Sequence, residues 1–186
     1  VVMGTVVRFS LRGGSMRNIL FVCTGNTCRS PMAAAFLRKL ASEYSIDLEV
    51  RSAGTHAVLD ASISVQASKV LRKYGITDVE HRASPLRKEL IAWADVIFVM
   101  TEAHRQQIIA EDMVAEKIHV LGLRVSSDSM EVGSPEGIVD PFGGSEAVYE
   151  QCLQSIVKAL LWFMEKEELV PRGVFPSVDS GRGEKG

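Results

Sequence analysis

The chain has 186 residues, a formal net charge of -2, and a composition that is 46% hydrophobic and 24% charged. That balance suits one globular domain with a full core, and it carries no basic excess of the kind a nucleic-acid partner demands. Three cysteines are too few for the disulfide framework of a small secreted protein, and no apolar run approaches the roughly 18 residues of a membrane span.

Residues 1–15 lack a positive-then-apolar signal layout and are read as an N-terminal extension outside a fold that begins at Met16. Strands are predicted over Asn18–Cys23, Leu48–Ala53, Val96–Met100 and Ile118–Leu121. The first and third, ILFVC and VIFVM, are apolar on both faces, as strands of a covered parallel sheet must be. Helices are predicted over 30–44, with Met32, Ala35, Phe36 and Leu40 in phase, and over 61–74, with Val65, Val70 and Leu71 in phase and Gly75 as the stop. Two shorter helices cover 86–94 and 102–113. The last runs from Ser145 to Leu169, with Tyr149, Cys152, Leu153, Ile156, Val157, Leu160, Leu161 and Met164 on one stripe and Pro171 ending it. Residues 171–186 show no periodicity and read as a flexible tail. Alternating strands and helices imply an α/β fold: one doubly wound domain over 16–170, a four-stranded parallel sheet with helices on both faces. In such folds the ligand crevice opens at the carboxyl ends of the strands.

The segment CTGNTCRS, residues 23–30, follows the first strand at that place. Backbone N–H groups from Thr24 to Arg29 can curl round one centre, with Gly25 and Asn26 supplying the backbone freedom. The helix that follows aims its positive end inward, and Arg29 can clamp two oxygens of a tetrahedral oxyanion. Cys23 lies at the bottom of that cup, where the same field favours its thiolate and Ser30 can donate to the sulfur. A thiolate beneath a bound phosphoryl group is a nucleophile set for in-line attack. Zinc binding by Cys23 and Cys28 would need two further ligands, and no second Cys/His pair follows. A nucleotide-binding loop ending in Lys-Ser/Thr is absent, and no metal or cofactor is called for.

With those residues in view, VCTGNTCRSP resembles the low-molecular-weight protein tyrosine phosphatases, whose signature is a Cys-x5-Arg-Ser loop after the first strand. The resemblance covers about residues 17–169 and implies a cysteine-dependent phosphatase acting on phosphorylated proteins. It makes Asp140, in IVDPFGG, the proton donor to the leaving group, and it makes Asn26, Ser30, Ser52 and His81 braces of the loop. Two departures look like the protein arginine phosphatase branch. Thr27 stands where tyrosine-specific relatives usually carry a branched aliphatic residue. Phe142-Gly143-Gly144 stands where they usually show two aromatics. Thr27 and Phe142 are therefore the expected selectivity residues, and phosphoarginine is preferred to phosphotyrosine as substrate. Ala34 replaces a glutamate common among relatives and is expected to affect the helix surface. Thioredoxin-coupled arsenate reductases share the fold, but they relay a disulfide through two further cysteines. Here only Cys152 remains, on the apolar stripe of the last helix. Oxidised Cys23 is expected to be trapped as a reversible disulfide with Cys28. A cytoplasmic monomer without membrane or nucleic-acid partners completes the reading.

Overall fold

The computed structural model describes residues 17–112, 115–122, 137–171 and 173–174. The expected extension over 1–15, and the tail from 175 onward, lie outside the described residues. Four strands, β1 (Arg17–Cys23), β2 (Leu48–Gly54), β3 (Val96–Val99) and β4 (Ile118–Val120), form one sheet in the order β2-β1-β3-β4. Every pairing in it is parallel. The helices are α1 (Arg29–Glu43), α2 (Val65–Lys73), α3 (Lys88–Trp93), α4 (Glu102–Asp112) and α5 (Glu146–Lys166).

The two-residue alternation of a strand divides β1 between two cores. Ile19, Phe21 and Cys23 face a large cluster with Met32 and Phe36 of α1 and Leu160 of α5, whereas Leu20 and Val22 face a smaller one with Ile91 and Ile108 of α3 and α4. Strand β3 does the same, with Phe98 on one side and Ile97 and Val99 on the other. Phe21 and Phe98 stack across the pairing with ring centroids 5.5 Å apart. Strands buried on both faces in this way need the unbroken apolar runs the sequence carries. Because β1 pairs with both β2 and β3, the chain reverses its winding direction beside Cys23, and a crevice opens there.

Helix α3 is shorter than the predicted 86–94 by two residues at its start and one at its end, and the largest boundary differences fall at α2 and α5. Helix α2 begins at Val65, with the Ser64 hydroxyl accepting from the Ala67 N–H at 3.2 Å. Residues before it are held instead by an antiparallel bridge between Ser62 and Arg82. Val65 is consequently 69% exposed and is not a core residue. At its other end α2 stops as expected: Gly75 takes φ +76°, and the Gly75 and Ile76 N–H groups return to the Arg72 and Leu71 carbonyls. Helix α5 ends at Lys166, three residues short of Leu169. The device is the same, but the left-handed residue is Glu168 (φ +54°), with N–H groups of Glu168 and Leu169 returning to the carbonyls of Glu165 and Met164. Pro171 lies beyond the stop and does not cause it. On the stripe of α5, Phe163 is buried, while Val157 and Leu161 are only partly so. Ala34 is fully buried in α1, so its substitution bears on core packing and not on the helix surface. Among the described residues, no helix is long and apolar enough to cross a membrane.

Candidate active site

Cys23 ends β1 and is buried, with its Sγ 3.0 Å from the Ser30 hydroxyl. Ser30 already accepts from the Asn26 side-chain amide at 2.8 Å. Its one proton has two acceptors within reach, the sulfur at 3.0 Å and the Ala53 carbonyl at 3.4 Å, and the shorter contact lets it donate to a Cys23 thiolate. Asn26 ties the loop together from a left-handed backbone (φ +54°) while fully buried. Its Nδ2 donates to Ser30 and to Ser52 at 2.9 Å, and its Oδ1 accepts from the Ser84 N–H at 2.9 Å. Its backbone carbonyl accepts from His81 Nε2 at 2.7 Å, which assigns the His81 proton to Nε2. Burial lowers the His81 pKa, opposed in part by that bond. The backbone freedom expected of both Gly25 and Asn26 is thus used at Asn26; Gly25 does not take a positive φ.

Arg29, the first residue of α1, is buried and reaches outward to the Asp140 loop. One Nη donates to the Ile138 carbonyl at 3.2 Å, and the other meets Asp140 Oδ2 at 2.6 Å. Asp140 itself is half exposed, its other carboxylate oxygen accepting from the Phe142 N–H at 3.1 Å. Arg29 can exchange this carboxylate for the oxygens of an entering phosphoryl group, leaving the Asp140 carboxyl next to the departing atom. The loop is anchored just beyond β3, at Met100 and Thr101, by Gly137, whose φ is +102° and whose Cβ, if it had one, would lie 2.2 Å from the Met100 carbonyl oxygen. Only glycine fits there.

The remaining sequence-derived residues fall round the same loop. Thr27 is half-buried, and its carbonyl accepts from the Ser64 N–H at 2.9 Å. Cys28 precedes α1, and its Sγ lies 3.2 Å from the Tyr149 hydroxyl and 3.6 Å from Thr27 Oγ1. All three cysteines are free. Burial raises the Tyr149 pKa to about 12, with the Cys28 contact adding to it. Phe142 is 80% exposed at the lip, beside Asp140. Cys152 is buried in the larger core, and burial pushes its thiol up to about 12, as suits a packing residue.

Five contributors escaped the sequence reading, Gly137 among them. Gly54, paired with Cys23 in register, has no room for a Cβ: it would stand 2.4 Å from the Thr24 carbonyl oxygen and 2.9 Å from the Asn26 nitrogen. Ser84 and Tyr149 supply the contacts given above. His104, on α4, bonds Thr24 Oγ1 at 2.9 Å through Nε2 and Thr101 Oγ1 at 2.8 Å through Nδ1. The available signal for His104 was its place just after β3, at the carboxyl edge where the crevice opens.

The arrangement can bind a tetrahedral oxyanion above a sulfur nucleophile and protonate a group leaving from the far side. Proteins of known kind resemble the chain along most of its length. It is 40% identical over 154 residues to a protein-arginine-phosphatase of Geobacillus stearothermophilus, covering 81% of this chain and 97% of that one. It is 36% identical over 138 residues to the low molecular weight protein-tyrosine-phosphatase PtpB of Staphylococcus epidermidis, covering 74% and 90%. Among solved structures, a Cys-to-Ser mutant of the YwlE arginine phosphatase with a phosphorylated active-site serine superposes with a TM-score of 0.69. It is 33% identical, and the match covers 82% of this chain and 98% of that one. The family described as low molecular weight phosphotyrosine protein phosphatase matches residues 18–170, and the chain belongs to it.

Proposed function

We propose that the chain is a protein arginine phosphatase working through a phosphorylated Cys23. The observation that carries the chemistry is the pairing of two contacts: Ser30 Oγ at 3.0 Å from Cys23 Sγ, and Asp140 at 2.6 Å from Arg29 across the mouth of the same loop. In the first step the Cys23 thiolate attacks phosphorus in line. The P–N bond breaks, and Asp140 gives its proton to the departing guanidino nitrogen. Arg29 and the N–H groups of residues 24–29 hold the three equatorial oxygens as charge spreads over them. In the second step Asp140, now a carboxylate, takes a proton from water as the water oxygen attacks phosphorus. The P–S bond breaks, the Ser30 hydroxyl steadies the returning thiolate, and inorganic phosphate leaves.

Two features favour phosphoarginine. Thr27 offers a hydroxyl where an aliphatic residue would serve a phenol ring better, and the half-exposed Asp140 carboxyl at the lip is suited to hydrogen-bond a guanidino leaving group as it protonates it. The 40% identical relative is itself named a protein-arginine-phosphatase. Phosphotyrosine is the second reading, favoured by the exposed ring of Phe142 at the lip. The test is kcat/KM for phosphoarginine and phosphotyrosine peptides of one sequence, in the wild type and in Thr27→Ile. Wild type is expected to prefer phosphoarginine. The substitution should move the ratio toward phosphotyrosine by one to two orders of magnitude, or about 2–3 kcal/mol. An unchanged ratio would hand the assignment to phosphotyrosine.

A further inference from the structure

His104 lies behind the nucleophile loop and belongs to no step above. It is buried, 7% exposed, and joined at both ring nitrogens to threonines from different parts of the chain. Thr101 precedes α4, and its Oγ1 accepts the His104 backbone N–H at 3.4 Å. That leaves the Thr101 hydroxyl proton for Nδ1, 2.8 Å away. An imidazole that accepts at Nδ1 carries its own proton on Nε2, which points at Thr24 Oγ1 from 2.9 Å. The opposite tautomer would consume the Thr24 proton and leave the Thr101 proton unplaced. The ring is held neutral besides: burial first, and then Arg29, bring its pKa down to about 4.

Thr24 immediately follows Cys23 and is the one exposed residue in a loop that otherwise runs from half-buried to buried. Its carbonyl is fixed by the His56 N–H at 2.9 Å, on the β2 side of the crevice, and its hydroxyl by His104 on the β3 side. A hydroxyl has one proton and two lone pairs. With one lone pair taken by Nε2–H, the proton is left for whatever enters the cup. We propose that His104 is a positioning residue: it holds the Thr24 oxygen so that the Thr24 O–H is presented to an oxygen of the bound phosphoryl group. This adds a side-chain donor to the backbone cup, aimed before substrate arrives, and preorganised donors of this kind are worth most where charge develops.

The inference rests on the phosphatase reading for turnover, though not for binding, and the experiment separates the two. Thr24→Val, His104→Ala, their double variant and His104→Gln are compared with wild type. The readouts are kcat and KM on an aryl phosphate, the dissociation constant of inorganic phosphate by calorimetry, and thermal unfolding. Losing one hydrogen bond to a charged group should lower kcat/KM about 10-fold or more in Thr24→Val, and weaken phosphate binding in parallel. His104→Ala should lose a similar factor, and adding it to Thr24→Val should cost little more, because both act through one oxygen. Gln restores an N–H donor at the Nε2 position, so His104→Gln should recover most of the loss. Wild-type kinetics and phosphate affinity in Thr24→Val would overturn the proposal. So would losses that multiply in the double variant, because a purely structural His104 acts independently of Thr24. Should His104→Ala fail to fold, Thr24→Val and His104→Gln decide the matter between them. Should the wild type not turn over the aryl phosphate, the phosphatase reading falls, and the phosphate affinities still judge the Thr24 contact.

Discussion

Gly54→Ala changes one hydrogen to a methyl, yet it should disable the site. The backbone at Gly54 needs no unusual dihedral, so the cost is one of space alone. A Cβ there would sit 2.4 Å from the Thr24 carbonyl oxygen and 2.9 Å from both the Asn26 nitrogen and the Ala57 Cβ. Carbon–oxygen contacts are tolerable from about 3.3 Å, so the Thr24 peptide must retreat by roughly 0.9 Å. That peptide adjoins Cys23 and forms one wall of the oxyanion cup, and a misplacement of about 1 Å at such a place costs on the order of 10²-fold in rate. Overpacking should also cost about 1–3 kcal/mol of stability. Gly75→Ala is the control. It forces a φ of +76° on alanine with nothing within 4 Å of the new methyl, so it should lose about 1–2 kcal/mol of stability and no activity. The assay is kcat/KM on an aryl phosphate beside urea unfolding for all three proteins. A folded Gly54→Ala enzyme with wild-type kcat/KM would refute the claim that β2 holds the nucleophile loop in place.

Asp140→Ala should slow hydrolysis of substrates with poor leaving groups by 10²-fold or more while sparing those that leave unaided, read as the ratio of kcat values for alkyl and nitroaryl phosphates; equal kcat ratios in the two proteins would make the Asp-Pro a plain turn. Under peroxide, wild type should form a Cys23–Cys28 disulfide once Cys28 Sγ leaves the Tyr149 hydroxyl, and Cys28→Ala should regain less activity on adding reductant, with peptide mass mapping to locate the bond. Stability should fall with pH between about 6.5 and about 4: unfolded His104 gains a proton in that window, while the folded ring resists one through burial and Arg29, with Asp140 opposing and His56 reinforcing. The loss ascribed to His104 is about 2 kcal/mol after partial solvent screening, and His104→Gln should flatten that limb of a urea-midpoint profile across pH.

Strands β1 and β3 were legible because burial on both faces leaves an unbroken apolar run, and α1 and the start of the cup followed directly from β1. Cys23, Asn26, Arg29 and Ser30 lie within eight residues of one another, so local spacing brought them together. Ser52, His81 and Asp140 were reached through family resemblance, since their contacts with the loop cross 26, 55 and 111 residues of chain. The His104 contact with Thr24 spans 80 residues and had no motif to carry it. The start of α2 was misplaced because Val65 has helical spacing but no core to face, Ser62 being engaged with Arg82. The end of α5 was misplaced because its left-handed stop is a glutamate, a residue whose composition gives no such signal. Gly54 and Gly137 were invisible because what they make room for is distant backbone.

The central claim is that phosphate passes from arginine to Cys23 and then to water. A rapid acid quench of wild-type enzyme with phosphoarginine peptide, followed by mapping of the phosphorylated peptide, tests it most directly. Phosphate should appear on the peptide containing Cys23 within the first turnover and disappear as inorganic phosphate accumulates. Cys23→Ser should show no steady turnover while still binding phosphate. Phosphate release from phosphoarginine with no label on Cys23, or sustained turnover by Cys23→Ser, would contradict the mechanism; labelling of Cys23 from phosphotyrosine but not from phosphoarginine would contradict the substrate.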